Sequence, residues 1–283
     1  MKKIAYQGVS GAYSHLASYH AFPNCEYIAC RSFDDAMYLA ESGQANIAMI
    51  PMENSTAGRV EEIYRLIPKM NLYIIAEHFE PVHHCLLALP NTKIQNIKYV
   101  SSHPQALAQC RENILKYNLE AIAKLDTAGS AKDLLTIQDN KHAAIASSLA
   151  AEIYGLEIID SAFEDLKNNT TRFLVLSPTH KVPKYQNNKV YITSLVFEVK
   201  NIPAALYKAL GGFATNGVNI IKIESYTMGG TLKISQFHID IEGHPKTPSV
   251  KRALDELAYF ANSVKMIGTY LPHPLREQLI INN

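Results

Sequence analysis

The sequence predicts an α/β protein that ends in a separate βαββαβ module. Two patterns carry this. Short apolar strands that run into hydroxyl- and amide-rich loops, each followed by a helical pattern, recur at residues 2–20, 47–60, 97–117 and 124–137. Beyond residue 190 the order changes to strand, helix, two strands, helix and strand, the ferredoxin-like arrangement. At 283 residues, 47% of them hydrophobic, the chain is long enough for two or three folding units.

The first strand, at residues 2–6, leads through Gln7-Gly8-Val9-Ser10-Gly11-Ala12-Tyr13-Ser14 to a helix at 15–20. Residues 47–50 form a second, followed by Pro51-Met52-Glu53-Asn54-Ser55-Thr56-Ala57-Gly58 and a helix from about residue 60. A third, at 97–100, meets Ser101-Ser102-His103-Pro104-Gln105 and a helix at 106–117. Lys124-Leu125 lead through Asp126-Thr127-Ala128-Gly129-Ser130-Ala131 to a helix at 132–137. Ser14, Ser102 and Ser130 stand where N-caps would, and Pro104 suits a first helical position. Such helix starts also attract anions, and in open α/β sheets these loops gather at the carboxyl ends of the strands. Ser102 and Gln109, seven residues apart and close to two helical turns, fall on one face of the same element with Gln105 between them, which favours a polar cleft.

The richest stretch is Asn168-Asn169-Thr170-Thr171-Arg172-Phe173, which closes an acidic loop (Glu164, Asp165) and enters the apolar run Leu174-Val175-Leu176. Strand alternation turns Thr171 and Phe173 one way and Arg172 the other. A hydroxyl, a cation and a ring can together serve one small molecule. Equally, an ordinary strand entry would put Phe173 in the core and Arg172 in a structural ion pair.

Other chemistries fit poorly. The first glycine loop lacks the third glycine and the lysine of nucleotide-binding fingerprints, and Ser55 and Ser102 lack a His/Asp constellation for acyl transfer. His78, His83, His84 and Cys85 invite a metal reading. Adjacent His83 and His84, however, face opposite sides of a strand, and no second ligand pair follows at zinc spacing. A structural or cleft-lining histidine is the better reading, and no metal or organic cofactor is expected. A net charge of +1 with dispersed charges argues against nucleic acid. No apolar stretch approaches the ~18 residues of a membrane span, and Met1-Lys2-Lys3 runs into a strand with no apolar signal core. Cys25, Cys30, Cys85 and Cys110 lack framework spacing, so reduced thiols in a cytoplasmic protein are expected.

Four motifs together resemble the signature set of prephenate dehydratases: Gly8-x-x-Gly11-x-Tyr13-Ser14, Pro51-x-Glu53-Asn54-Ser55-x-x-Gly58, Ser102-His103-Pro104-Gln105-Ala106-Leu107-x-Gln109-Cys110 and Asn169-x-Thr171-Arg172-Phe173. The resemblance covers essentially the whole chain. It implies a catalytic domain at 1–180 made of two periplasmic-binding-protein-like α/β lobes, about 1–78 with 165–180 and about 79–164, with the site in their cleft. It implies loss of water and carbon dioxide from prephenate to give phenylpyruvate, toward L-phenylalanine. Thr171 carries over as the essential residue. Its hydroxyl is too weakly acidic for a conventional general acid, so it reads as a positioned donor to the departing hydroxyl. Asn54, Ser102 and Gln109 carry over as substrate contacts, with Ser14, Ser55, Ser130 and Asn169 beside them. Arg172 and Phe173 stay open between substrate and structural roles.

After a linker at 181–190, the module reads as a strand at 191–199, a helix at 203–216, a strand at 218–227, a Gly229-Gly230 turn, a strand at 232–242, a helix at 248–262 and a strand at 264–270. A tail at 274–283 follows. Placed after a dehydratase domain, residues 191–273 look like an ACT regulatory domain. That implies a homodimer or homotetramer and an amino-acid effector, L-phenylalanine, at Asn201, Ala204, Ala205, Leu206, Glu224 and Ser225. The chain departs from the pattern here. The usual Gly-Ala-Leu reads Ala204-Ala205-Leu206, and the usual Glu-Ser-Arg-Pro reads Glu224-Ser225-Tyr226-Thr227, which leaves subunit packing as an alternative role. Three functions stay in view: a prephenate dehydratase, an arogenate dehydratase, and a non-catalytic oxo-acid or amino-acid binding protein.

Overall fold

The computed structural model describes residues 1–227 and 235–276. The chain packs as two compact units. One comprises Met1–Ala36, Met49–Arg59 and Glu80–Phe173; the other comprises Met37–Ala48, Val60–Phe79 and Leu174–Asn283. This is a division by packing, drawn on other boundaries than the lobes of the resemblance.

In the first unit a five-stranded sheet runs in the order Glu157–Asp160, Cys85–Ala88, His142–Ala146, Tyr99–Ser102, Glu120–Ala123. Cys85–Ala88 is buried throughout because alternate side chains feed two cores. Leu86 and Ala88 join Val100, Ala106, Ile114 and Phe163, whereas Cys85 and Leu87 join Ala128, Ala131, Leu134 and Ala150. Lys3–Gln7 pairs in parallel with Glu26–Cys30, and Ile47–Asn54 lies next, beside Thr170–Ser177. Gly11 anchors the first loop: its φ is +86°, and a Cβ there would come within 2.8 Å of the Ala150 backbone. Ser147 Oγ donates to its carbonyl at 2.6 Å.

Three helix starts differ from the sequence reading. The caps are Ala12, His103 and Asp126 rather than Ser14, Ser102 and Ser130. Asp126 accepts from the Gly129 N–H at 2.6 Å, so the helix begins at Thr127 and absorbs most of the expected loop. The helix expected at 106–117 is broken at Cys110 into Pro104–Gln109 and Arg111–Lys116. Ser102 ends the strand Tyr99–Ser102, so it shares no helix face with Gln109.

In the second unit, strands Ile220–Thr227, Ser235–Glu242, Ile192–Val199 and Ala261–Tyr270 lie side by side in that order. Helices Ala205–Thr215 and Pro248–Phe260 pack on one face, around Leu195, Phe197, Phe213, Ile239 and Leu257. This is the expected βαββαβ ferredoxin-like order. The Gly229-Gly230 turn, residues 232–234 of the expected strand and most of the 274–283 tail lie outside the described residues.

Ala204, where the family pattern has glycine, caps its helix in the left-handed region (φ 55°, ψ 34°). An L side chain there costs roughly 1–2 kcal/mol, partly offset because alanine restricts the unfolded chain. Ala204→Gly is therefore expected to raise unfolding free energy by about 0.5–1 kcal/mol, read from the urea midpoint; a lower midpoint would contradict the assigned backbone conformation.

Candidate active site

The motif residues Asn54, Gln109 and Asn169 meet in the first unit, and Thr56 joins them in a closed ring of hydrogen bonds. Asn54 Nδ2 donates to Asn169 Oδ1 at 2.6 Å, and Asn169 Nδ2 to Gln109 Oε1 at 3.2 Å. Gln109 Nε2 donates to Thr56 Oγ1 at 2.7 Å, and that hydroxyl donates to Asn54 Oδ1 at 2.8 Å. Every bond runs the same way round. Backbone sets the direction: the N–H groups of Thr56 and Ala57 both donate to Asn54 Oδ1, at 3.0 and 2.9 Å. That end of the carboxamide must be the oxygen, so its amide nitrogen faces Asn169 and Thr171.

Thr171 hangs on this ring. Asn54 Nδ2 donates to Thr171 Oγ1 at 2.9 Å, leaving the threonine its own hydrogen to give. Strand alternation sorts the neighbours: Asn54 and Thr171 pair on one side, while Glu53 accepts from Arg172 Nη1 at 3.0 Å. Ser55 holds the two chains in register, its hydroxyl accepting from Thr170 N–H at 3.0 Å and donating to the Asn168 carbonyl at 3.1 Å.

A second chain of bonds enters from the other side. His84 Nε2 lies 2.7 Å from Gln109 Oε1, and Tyr13 Oη lies 2.6 Å from His84 Nδ1. Burial holds the His84 imidazole below its usual pKa, outweighing its contacts with Gln109 and Glu164. Burial likewise keeps the Tyr13 phenol well above its usual value, with Cys85, Cys110 and Glu164 adding to the effect. Burial pushes Glu164 upward too, but hydrogen bonds from His83 and from backbone N–H groups win and hold its carboxyl below the usual range. The Cys85 thiol is pushed up to about 11 by burial and by nearby Glu164 and Asp160, so it is no nucleophile at neutral pH.

A cavity of about 310 Å³ opens beside the ring, lined by Thr56, Ala57, Gln105, Ala108, Gln109, Glu164, Asp165, Leu166 and Asn169. Asn54 stands one hydrogen bond behind its wall, and Thr171 one bond further, on Asn54. The acidic loop brings two carboxylates to the lining, each bonded to a backbone N–H. Glu164 takes the His84 N–H at 2.9 Å, and Asp165 takes the Glu112 N–H at 3.0 Å.

Several expected contacts lie elsewhere. Ser102 is fully buried, its hydroxyl committed to the Ile145 carbonyl at 2.7 Å. Ser130 is buried and bonded to the Asp126 carbonyl within its own helix, and Ser14 is buried in the first turn of Tyr13–Ala21. Phe173 is core, 1% exposed. Arg172, 2% exposed, is held by Glu53 and does not reach the cavity lining. The sequence reading missed Thr56, Tyr13 and Glu164. Thr56 occupies an unspecified position of its motif, and only its spacing after Asn54 signals an Asx-type turn. Among the described residues no group of three or more His, Cys, Asp or Glu is placed to hold a metal ion, and no helix is long and apolar enough to cross a membrane.

Comparison with known proteins shows the family of the chain. The family model described as prephenate dehydratase matches residues 4–181. The chain belongs to the prephenate dehydratase family. It is therefore a carbon–oxygen lyase of the prephenate dehydratase type. A bifunctional N-acyl-homoserine lactone acylase/prephenate dehydratase of Komagataeibacter europaeus is 42% identical, over 97% of this chain and 98% of the relative. An arogenate dehydratase/prephenate dehydratase of Arabidopsis thaliana is 39% identical, over 95% of this chain and 72% of the relative. Among solved structures, the prephenate dehydratase of Arthrobacter aurescens in complex with L-Phe superposes with a TM-score of 0.86. It is 30% identical, over 95% of this chain and 90% of that one.

The titrating groups of this dehydratase give its stability a definite pH dependence. Burial lowers His15, His84 and His273 below 6.5. Between those folded values and 6.5 the unfolded chain binds more protons, so the stability these groups contribute is full above pH 6.5 and is lost as pH falls through the folded values. Glu164, depressed below 4.5, adds a loss of the same sign at lower pH. The urea midpoint is expected to fall steadily as pH drops from 6.5 toward roughly 5; a constant or rising midpoint across that window would contradict these environments.

Proposed function

We propose that the first unit converts prephenate to phenylpyruvate by decarboxylative dehydration, with Thr171 as the donor to the departing oxygen. The ring carboxylate leaves as carbon dioxide, its bonding pair makes the ring aromatic, and the C4 oxygen is expelled as hydroxide that takes one proton to become water. No strong nucleophile is needed. The protein has to orient the substrate, exclude water and stabilise negative charge building on the leaving oxygen. The observation that carries this reading is the Asn54 N–H on Thr171 Oγ1, which leaves the threonine's own hydrogen to be donated. Asn169, Gln109 and Thr56 supply the polar wall against which the substrate is seated.

Arogenate, which carries an amine on the side chain, is the alternative substrate, favoured by the name of the Arabidopsis relative. A second reading, hydrolysis of N-acyl-homoserine lactones, rests on the Komagataeibacter relative. Its name includes that activity, and with 98% of it covered the relative has little room for an additional domain to hold the acylase. We also assign the βαββαβ module, residues 191–273, as an ACT regulatory domain of a homodimeric or homotetrameric cytoplasmic enzyme. Its effector would be an amino acid such as L-phenylalanine, held near Asn201, Ala204, Ala205, Leu206, Glu224 and Ser225. The L-Phe complex of the Arthrobacter relative supports that assignment. Ala204 and Tyr226 make this chain's effector site differ from the family pattern by a methyl group and a lost cation.

One set of assays tests these readings. Purified protein is incubated with prephenate, arogenate or an N-acyl-homoserine lactone, with and without millimolar L-phenylalanine, and product is followed in each. Prephenate should give phenylpyruvate. Thr171→Ala should lower its turnover by about 100- to 1000-fold with an unchanged melting temperature, while Thr171→Ser keeps much of it. Near-normal turnover by Thr171→Ala would overturn the role given to that hydroxyl. Turnover and assembly both indifferent to L-phenylalanine would reject it as effector.

A further inference from the structure

We propose that His84 is a positioning residue for this reaction: a neutral imidazole, protonated on Nε2, that locks the Gln109 carboxamide and thereby the direction of the bonds leading to Thr171. The inference rests on Thr171 as the donor. It begins from the short contact between His84 Nε2 and the Gln109 oxygen.

Gln109 Oε1 already accepts from Asn169 Nδ2, and its amide nitrogen is committed to Thr56 Oγ1. The atom facing His84 Nε2 at 2.7 Å is therefore an oxygen. A lone pair on Nε2 at that distance would repel it, so Nε2 carries the hydrogen and Nδ1 accepts. Tyr13 Oη lies 2.6 Å from Nδ1 and donates to the His83 carbonyl at 2.9 Å, so with a neutral ring its one hydrogen is shared between these two acceptors. Burial keeps both the phenol and the neutral imidazole in the required forms. Glu164 fixes the backbone beneath, accepting from the His84 N–H at 2.9 Å.

Without the His84 N–H, Gln109 loses one of the two donors that hold its oxygen in place. The carboxamide is then free to turn over and present its amide to His84. Asn169 would lose its acceptor and Thr56 its donor. Asn54 would keep its backbone contacts but lose a fixed partner for one N–H, and Thr171 would lose its fixed direction. His84 does not itself line the cavity, and its side chain reaches toward Thr171 through Gln109.

The test uses three substitutions of different reach. The Gln side chain places an N–H as far from the backbone as His Nε2, so His84→Gln should keep turnover within about tenfold. His84→Asn and His84→Leu do not supply that donor and should each lose about 100-fold in kcat with a smaller change in KM, the scale of a misplaced catalytic group. Melting temperatures control for folding. Placing His84→Leu on Thr171→Ala gives the deciding comparison. If His84 works through Thr171, the second substitution adds almost nothing to the first. Losses that multiply, or equal activity of the Gln, Asn and Leu variants, would overturn the inference. Full activity of Thr171→Ala alone would instead overturn the reading of Thr171 on which it rests.

Discussion

A carboxamide fits its space almost equally well either way round, and the working of this site depends on Asn54 being held one way only. Two backbone N–H groups, from Thr56 and Ala57, converge on Asn54 Oδ1. That leaves the amide nitrogen no choice but to face Asn169 and Thr171. From there the polarity propagates: Asn169 must offer its oxygen to Asn54 and its nitrogen to Gln109, and Gln109 its nitrogen to Thr56. Hydrogen bonds that all run in one sense polarise one another. A single local turn thus sets the direction of groups that come from three separate places in the sequence.

The surrounding structure protects that arrangement from the charges close to it. Arg172 and Glu53 are a nearly buried cation and its partner immediately beside the ring, yet alternation along adjacent strands puts them on the face away from Asn54 and Thr171. The pair joins the two strands through the Arg172 Nη1 bond to Glu53. Glu164 and Asp165 are likewise spent on N–H donors. The amides and hydroxyls of the ring are held in place beforehand, so their orientation needs no rearrangement as charge moves onto the leaving oxygen.

How far this was legible in the sequence varies with the physics involved. The strand–loop–helix repeats and the βαββαβ order were readable because periodicity and turn residues are local signals. Asn54, Asn169 and Thr171 stand out as amides and a hydroxyl at strand ends, Gln109 as an amide on the helix that follows one, and the motif spacing pointed to their family. The serines misled. Ser14, Ser102 and Ser130 have the residue type and position of caps or contacts, but Asp126 and His103 compete for the same N–H groups and win. The hydroxyl of Ser102 then turns to a carbonyl on the neighbouring strand, a partner 43 residues away. Thr56 and Tyr13 went unread because their partners are just as remote: Thr56 meets Gln109 across 53 residues, and Tyr13 meets His84 across 71. The sequence left His84 between structural and cleft-lining roles, and only its distances to Gln109 and Tyr13 decide.

The claim that Asn54 must donate to Thr171 can be tested by reversing that one bond. In Asn54→Asp the carboxylate still accepts from the Thr56 and Ala57 N–H groups, so the turn should survive. Its second oxygen can only accept, however, and would take the Thr171 hydrogen that the substrate needs. Steady-state turnover of prephenate at pH 8, with the melting temperature measured alongside, should show an intact fold and a kcat at least about 100-fold lower. An Asn54→Asp enzyme that folds and turns over prephenate within about threefold of the native rate, far short of that loss, would contradict the account.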